Sequence, residues 1–347
     1  MPSNELVNER ISIKKALAKG LVTFGLLGYL ISRVEFGQLL PRMAGVSVEA
    51  ILTASLLIFL TSVPITLRWK LVLAHLGHNL WNVKLWKLVI VGMFFNQFLP
   101  TGVGGDVTRI WYLHRDGVPL GSSITSILMD RVLGIVGLAA AVVLGIPILL
   151  KTGVSESMNS LLVIGTCFAL GLSATIFADI LLSPMINCRA VQRALRKIPH
   201  GERLVRAALN VATRTRQLIL SWPGGPSALA LSAASFLMAS TAAYTLARAL
   251  DSNVNLSVLI FLFPAVLLFS MLPVSLGGWG VREGAMVLLF GLVGTSHEDA
   301  LAISILFGVC LVCSGIPGAA AWVLFTHRRV NATPELNQEN TPHDHEN

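Results

Sequence analysis

Charged residues are scarce in this chain of 347 residues, since Asp, Glu, Lys and Arg together make up only 13% of it. An average soluble domain carries roughly 25% charged residues, whereas 54% of the residues here are hydrophobic. The composition excludes an ordinary water-soluble domain. A helical span needs about 20 mostly apolar residues to cross a hydrocarbon core about 30 Å thick, and several windows reach or approach that length. We expect a protein that crosses the membrane repeatedly.

Cysteine and histidine are also few, and neither is arranged as metal ligands or as a disulfide framework. Cys310 and Cys313 form a CxxC, but the pair lies in an apolar window without a second ligand pair, so we interpret both as packing residues. The other two cysteines, Cys167 and Cys188, fall in or beside apolar segments as well. None of the eight histidines falls at the expected bilayer depth. The sequence predicts no metal and no cofactor.

The net charge of +8 is concentrated in short stretches beside apolar windows, where the positive-inside rule places basic residues. We therefore interpret it as a mark of topology, and no nucleic-acid partner is expected. The strongest mark is the arginine-rich segment 186–217, whose only acid is Glu202. It should face the cytoplasm. Its amphipathic spacing fits helices lying on anionic headgroups, and an ordinary cytoplasmic loop fits it equally well.

Apolar windows define the expected architecture, an all-α polytopic membrane protein. They cover residues 16–32, 48–67, 86–99, 121–149, 160–182, 226–249, 256–272, 280–296 and 300–326. Counted from the basic anchor, they give about six full spans, with both termini cytoplasmic. The first window follows a basic stretch without a signal-peptide cleavage site, so we expect an uncleaved span. Residues 1–329 form the integral membrane domain, and the polar tail 330–347 is expected to be disordered.

Two segments must begin and end on the same side of the membrane, so we predict re-entrant broken-helix hairpins at 86–113 and 256–296. The first arm of the first hairpin, about 20 Å of helix, is too short to cross; that of the second is close to a full crossing. The hairpins enter from opposite faces, as in an inverted repeat. The predicted topology leaves Arg33, Arg42, Lys151 and Arg248 outside, puts Arg109, Arg131 and Arg282 at membrane depth, and assigns the remaining bases, Arg68 among them, to the cytoplasm.

The two hairpins carry the same motif at their tips. It reads Leu99-Pro100-x3-Gly104-Gly105-x3-Arg109 in the first copy and Leu272-Pro273-x3-Gly277-Gly278-x3-Arg282 in the second. Proline ends a helix, paired glycines permit a tight turn, and the helix that follows presents free N–H groups suited to an anion. Nonhelical backbone at membrane depth marks the substrate site of many transporters. A pure packing role for both turns is the alternative.

Acidic residues accompany these arginines at membrane depth. Asp106 and Glu283 lie near Arg109 and Arg282 respectively, at different offsets, and Asp130 and Arg131 lie near the midplane of the helix that follows the first hairpin. Charges at that depth are costly, which favours a function over a structural role. We expect Asp130 and Arg131 to support the first hairpin.

The stretches NQFLPTGVGGDVTRIWYL, MDRVLG and LPVSLGGWGVREGAMVL resemble the signature segments of the lysylphosphatidylglycerol synthase transmembrane-region family, the flippase-like family. The likeness covers nearly the whole membrane part. Bifunctional synthases of that family add a soluble aminoacyl-transferase domain, whereas only a short polar tail follows the last span here. The resemblance therefore implies the flippase-like activity without the synthase.

The residues at the family's motif positions are the predicted substrate-binding residues. They are Asn96, Gly104, Gly105, Asp106, Arg109, Asp130, Arg131, Gly277, Gly278, Arg282 and Glu283. We expect the two motif arginines and the two helix starts to form one anion site for a lipid headgroup, with Asp106 and Glu283 each holding its own arginine when the site is empty.

The predicted function is transport of an anionic or lipid-linked headgroup across the cytoplasmic membrane of a prokaryote, without enzymatic activity. The expected partners are a phospholipid or lipid-linked glycan as substrate, anionic headgroups at the cytoplasmic surface, and enzymes of envelope-lipid synthesis. Three alternatives stay open: a membrane-embedded enzyme acting on a lipid phosphate, an ion-coupled carrier of small solutes, and a scaffold for an envelope-synthesis complex.

Overall fold

The computed structural model describes residues 20–26, 28–29, 36–99, 103–151, 163, 166–171, 174, 180, 201–272 and 274–330, and these residues form helices and turns with no strand among them. The helices are α1 Phe36–Ala44, α2 Val48–Leu60, α3 Ser62–His75, α4 Asn82–Phe98, α5 Gly104–Arg115, α6 Leu120–Lys151, α7 Gly201–Leu220, α8 Gly224–Ala249, α9 Leu256–Ser270, α10 Val281–Gly291 and α11 His297–Val330. Residues 20–26 are also helical.

Within the described residues, four helical stretches are long and apolar enough to cross a bilayer. They are Val48–His75, Leu120–Pro147, Gly224–Ala249 and His297–Leu324. The prediction of an all-α polytopic membrane protein is confirmed. Of the other two predicted spans, 16–32 is described only at 20–26 and 28–29, and 160–182 lies largely outside the described residues. Residues 186–200 and the tail from 331 onward lie wholly outside them.

Both predicted hairpins are present as pairs of short helices. Helix α4 has 17 residues, about 25 Å of helix, and α5 has 12; α9 has 15 residues, about 22 Å, and α10 has 11. Each arm is therefore shorter than a hydrocarbon core of about 30 Å. Helix α4 begins four residues before the predicted window, and α9 ends two residues before its own. Residues 100–102 and Pro273, at the tips, lie outside the described residues.

The two hairpins open at opposite ends of the molecule. Lys84, at the start of α4, pairs with Asp116, just after α5, at 3.0 Å, so the first hairpin returns to the end where it began. The second hairpin begins and ends around a polar cavity that includes Ser252 and Asp299, and Asp299 pairs there with Arg42 at 2.8 Å. The stretch Val48–His75 connects these two ends. Which end faces the cytoplasm stays a prediction.

Each hairpin packs against the long helix that follows the other hairpin, α4 along α11 and α9 along α6. Glycines permit both close approaches. A methyl group on Gly318 would lie 2.1 Å from the carbonyl oxygen of Ile90, and one on Gly145 would lie 2.2 Å from Cβ of Phe261. Gly145 and Gly318 have the same sequence separation as Arg109 and Arg282. The crosswise packing is what a structural repeat produces, while its inversion relative to a membrane stays a prediction.

Arg68 does not belong to a cytoplasmic loop, so that expectation was wrong. The predicted window stopped at residue 67, but the helical stretch runs from Val48 to His75 with a single turn residue at Thr61. Arg68 is only 7% exposed. A hydropathy window ends at a charged residue because hydropathy is averaged over residues adjacent in sequence. The average contains no information about an ion-pair partner elsewhere in the chain.

The described part of the basic segment, residues 201–217, belongs to the amphipathic helix α7. Val211, Thr215 and Leu218 are buried where α7 packs on α6 and α8, whereas Arg203, Arg206 and Arg214 are exposed. The exposed arginines leave this helix able to meet anionic headgroups, which stays a prediction.

Candidate substrate site

A cavity of about 400 Å³ lies where the turns of the two hairpins meet. The first hairpin contributes Gln97 and Val103 to its wall, and the second contributes Leu272, Gly277 and neighbouring residues. The turns come close here, since a methyl group on Gly277 would lie 3.7 Å from the carbonyl oxygen of Gln97. Helices α3 and α6 supply the remaining wall. The two broken helices thus share one internal space.

Five charged side chains line this cavity: Arg68, Arg109 and Arg131 with Asp106 and Asp130. Their formal charges sum to +1. Two short pairs account for both acids, because Arg68 donates from Nε to Oδ1 of Asp130 at 2.8 Å and Arg131 donates from Nε to Oδ2 of Asp106. One arginine is therefore in excess.

Arg109 is the arginine that has both acids within ion-pair distance but is hydrogen-bonded to neither. Its Nη2 lies 3.6 Å from Oδ2 of Asp130 and its Nη1 lies 3.8 Å from Oδ1 of Asp106, both beyond hydrogen-bond distance. The side chain is buried, with the residue 8% exposed, and Nε and Nη2 have no hydrogen-bond partner among the described residues. Buried donors without acceptors are expensive, and more so when charged. Within the described part of the chain, these two donors of Arg109 are left without an acceptor.

The charged cluster is held in position by neutral side chains from three helices. The guanidinium carbon of Arg109 lies 4.0 Å from the ring centre of Trp69, whose indole N–H donates to Oγ of Ser126 at 3.2 Å. Arg68 donates from Nη1 to Oγ of Ser232 at 3.0 Å. The indole of Trp69 fixes the plane of the Arg109 guanidinium, so its open edge has a defined direction.

The second turn reaches the cavity through backbone that favours glycine. Gly277 and Gly278 have φ values of 56° and 81°, in the left-handed region that side chains disfavour. The N–H of Leu276 donates to Oγ1 of Thr23 at 3.0 Å, which ties this turn to the helical segment 20–26. Glycine at these positions therefore reflects the turn geometry beside the cavity.

Arg282 does not join this site, contrary to the expectation that both motif arginines share one anion. It is 2% exposed and donates from Nη2 to Oε1 of Glu283 at 2.5 Å and from Nε to Oγ of Ser304 at 3.2 Å. Its guanidinium carbon also lies 4.9 Å from the ring of Trp279. With these partners Arg282 and Glu283 form a closed pair that links α10 to α11.

Each motif acid lies beside the arginine of its own copy, but only one of the two pairs is hydrogen-bonded. Glu283 accepts from Arg282, whereas Asp106 accepts from Arg131 and forms only an ion pair with Arg109, at 3.8 Å. Asp130 and Arg131 reach the first hairpin, as expected, at Arg109 and Asp106 respectively, and Asp130 is also hydrogen-bonded to Arg68 of α3. Sequence proximity predicted the pairs, and tertiary contacts decided which of them are hydrogen-bonded.

The predicted site residues divide into two groups. The cavity is lined by Asn96, Asp106, Arg109, Asp130, Arg131, Gly277 and Gly278, while Gly104, Gly105, Arg282 and Glu283 are not part of its lining. Gly105 has a packing role, since a methyl group there would lie 2.0 Å from the carbonyl oxygen of Gly92. Asn96 accepts from the N–H of Gly105 at 2.9 Å and so caps the start of α5. Substrate binding by the lining residues stays a prediction.

Sequence reasoning missed two residues of the site, Arg68 and Trp69. A signal was present, because no glycine or proline interrupts the chain between residue 65 and Gly77, so the helix could have been extended past Arg68. Among the described residues, no three His, Cys, Asp or Glu side chains come together as metal ligands would.

The amino-acid sequence is similar to those of other membrane proteins. A protein-family model described as the lysylphosphatidylglycerol synthase TM region matches residues 16–317. A UPF0104 membrane protein of Methanocaldococcus jannaschii is 25% identical over 126 residues, which are 36% of this chain and 38% of that protein. Two UPF0104 membrane proteins of Methanothermobacter thermautotrophicus are 24% and 23% identical, covering 74% and 86% of this chain and 79% and 88% of their own lengths. Because the family model covers most of the chain, including both hairpins and the cavity between them, the chain belongs to the lysylphosphatidylglycerol synthase transmembrane-region family.

Proposed function

We propose that this protein moves a lipid across the cytoplasmic membrane by holding the anionic headgroup at Arg109 in the cavity between the two hairpins. The observation that carries the proposal is the pair of buried donors, Nε and Nη2 of Arg109, that have no acceptor among the described residues. A headgroup oxygen would satisfy both through one edge of the guanidinium. The hydrocarbon chains would stay in the bilayer.

The excess charge of the cavity supports the same function. A cation held at membrane depth without a hydrogen-bonded acid lowers stability, so its presence favours use. An anionic headgroup would restore neutrality, and the two short ion pairs, Arg68 with Asp130 and Arg131 with Asp106, would remain in place. The protein would thereby lower the cost of bringing a headgroup phosphate into the membrane.

Alternating access would follow from motion of the two hairpins relative to each other. They open at opposite ends of the molecule, and their turns meet at the cavity. Rocking of one repeat against the other would expose the headgroup first to one face and then to the other. No covalent step is needed, and we assign none of these residues a catalytic role. In this proposal both termini lie in the cytoplasm.

Headgroup exposure in proteoliposomes tests the proposal. The purified chain is reconstituted with a fluorescent anionic phospholipid, and the fraction of label quenched from outside is followed over time, with and without an imposed ion gradient. Wild-type protein should accelerate exchange between leaflets. Arg109→Ala should abolish the acceleration, and Arg109→Lys should reduce it, because lysine keeps the charge but loses the planar fork.

The matched control is Arg115→Ala, which removes an exposed arginine from the other end of the same helix, α5. That variant should exchange lipid at the wild-type rate. Equal exchange by folded Arg109→Ala and wild-type protein would contradict the proposal. Transport of small ions or solutes, with no lipid exchange, would favour the carrier alternative instead.

A further inference from the structure

The opposite hairpin also brings to the cavity wall a residue whose polar group is unpaired among the described residues. Ser275 lies in the turn between α9 and α10, lines the cavity, and is 2% exposed. Its Oγ has no hydrogen-bond partner among the described residues. Ser270 also lines the cavity, but its hydroxyl donates to the carbonyl oxygen of Val266 at 2.7 Å and is satisfied. The first hairpin thus offers an unpaired guanidinium edge and the second an unpaired hydroxyl.

The charge of the cavity limits what can lie between these groups. Three arginines and two aspartates line it, and a single negative charge brings the sum to zero. A diphosphate would make the summed charge negative, and a zwitterionic headgroup would leave the excess positive charge uncompensated. Since uncompensated charge in a medium of low dielectric is costly, the cavity favours a monoanion.

The size of the cavity suits a small substituent on that anion. Its volume of about 400 Å³ is near the lower end of the range of about 300–1,000 Å³ found for small-molecule pockets. A headgroup of one phosphate with a small polyol or one sugar ring is of that order.

We propose that the headgroup is a phosphodiester carrying one negative charge and a small hydroxylated substituent, with the phosphate at Arg109 and a substituent hydroxyl at Oγ of Ser275. This inference rests on the proposed function and adds the substrate class to it. Ser275 is then a specificity-determining residue of the second hairpin. Its hydroxyl both donates and accepts, so it can pair with an alcohol of the headgroup.

The chemistry fits two kinds of lipid, a glycerophospholipid with a polyol headgroup and a polyprenyl phosphodiester of one sugar. Binding measured with the purified full chain in detergent distinguishes recognition of the headgroup from recognition of the hydrocarbon chain. Short-chain phosphatidylglycerol is compared with phosphatidylmethanol, which carries the same charge and lacks the hydroxyls. A polyprenyl phosphoglucose is compared in the same way with a polyprenyl methyl phosphate.

Wild-type protein should bind the hydroxylated member of at least one pair about two- to tenfold more tightly, the contribution expected of one hydrogen bond to a buried partner. Ser275→Ala should remove that preference and leave the affinity for the methyl ester unchanged, which also shows that the site is folded. The pair with the larger preference identifies the hydrocarbon.

Ser240→Ala is the matched control, since Oγ of Ser240 is also buried without a partner among the described residues but does not line the cavity. It should keep the preference. The headgroup assignment would be overturned if wild-type protein bound the hydroxylated lipid and the methyl ester equally tightly in both lipid pairs. It would also be overturned if the preference for the hydroxylated lipid survived Ser275→Ala. If all four lipids bind and Arg109→Ala abolishes their binding, the proposed function stands without this refinement; binding that is indifferent to Arg109 would remove the proposed function itself.

Discussion

Arg109 and Arg282 occupy the same position of one repeated motif, yet their surroundings differ in kind. Arg282 donates to Glu283 and Ser304 and packs beside Trp279. Arg109 lies 3.6 Å or more from each acid near it and keeps two donors unpaired among the described residues. The second copy of the motif is a closed structural pair, and the first copy is open toward a cavity. This difference makes the effects of mutating the two arginines separable.

Removal of Arg282 should destabilise the protein. Arg282→Met leaves Glu283 buried without its cation, and breaking a buried pair in this way costs about 3–5 kcal/mol. Arg109→Met should leave stability equal or higher, because Asp106 and Asp130 keep Arg131 and Arg68 as partners. The midpoint of thermal unfolding in detergent measures both effects.

A double variant, Arg282→Met with Glu283→Gln, controls for loss of packing, since the glutamine oxygen can still accept from the N–H of Gly280. It should recover part of the lost stability. A larger loss of stability for Arg109→Met than for Arg282→Met would contradict the conclusion that only the second motif arginine has a structural role.

The pair formed by Arg68 and Asp130 should behave as one buried unit. Each is almost inaccessible, and Nε of Arg68 lies 2.8 Å from Oδ1 of Asp130. Arg68→Met and Asp130→Leu should each lower the free energy of unfolding, and the double variant should lose less than the sum, by about 0.5–3 kcal/mol. Additive losses would mean that the pair is not formed in the folded protein.

Filling the cavity from α6 should slow lipid exchange without unfolding the protein. Gly134 lines the cavity, and the atoms nearest to a methyl group there would be those of the Arg68 guanidinium, at 3.5 Å, an ordinary contact distance. Gly134→Ala should therefore fold and bind the headgroup more weakly. Gly121→Ala is the control on the same helix, since nothing lies within 4 Å of its added methyl group. Equal exchange rates for the two variants would mean that the headgroup does not occupy this cavity.

The topology predicts which exposed positions can be labelled from each side of the membrane. In a variant whose native cysteines are replaced, Trp81→Cys, at a position 84% exposed next to α4, should react with an impermeant thiol reagent only from the cytoplasm. Asn253→Cys, exposed at the other end between α8 and α9, should react only from outside. The reverse pattern would invert the orientation, and labelling of both from one side would exclude hairpins that open at opposite ends.

Much of the fold could be predicted because hydrophobic windows, basic flanks and broken motifs are local properties of the sequence. The positions of α6, α8 and α11, and of the two helix pairs that open at opposite ends of the molecule, follow from such signals. Helix ends were less predictable, since α4 extends four residues earlier than its apolar window. The polar side chains of that extension are permitted by its position near one end of the molecule, where Lys84 pairs with Asp116.

The sequence by itself determined that an arginine follows each of two helix-breaking Pro/Gly motifs, because both motif copies can be identified directly. Only the tertiary structure shows that Arg109 keeps two donors without an acceptor among the described residues, whereas Arg282 is hydrogen-bonded to Glu283. Charge compensation depends on distance in space, and Asp130 is paired with Arg68, 62 positions away in the chain. Ser275 carries no signal of its own, since a serine in a turn is ordinary. Its proposed role arises from its position, since Ser275 lines the same cavity as Arg109.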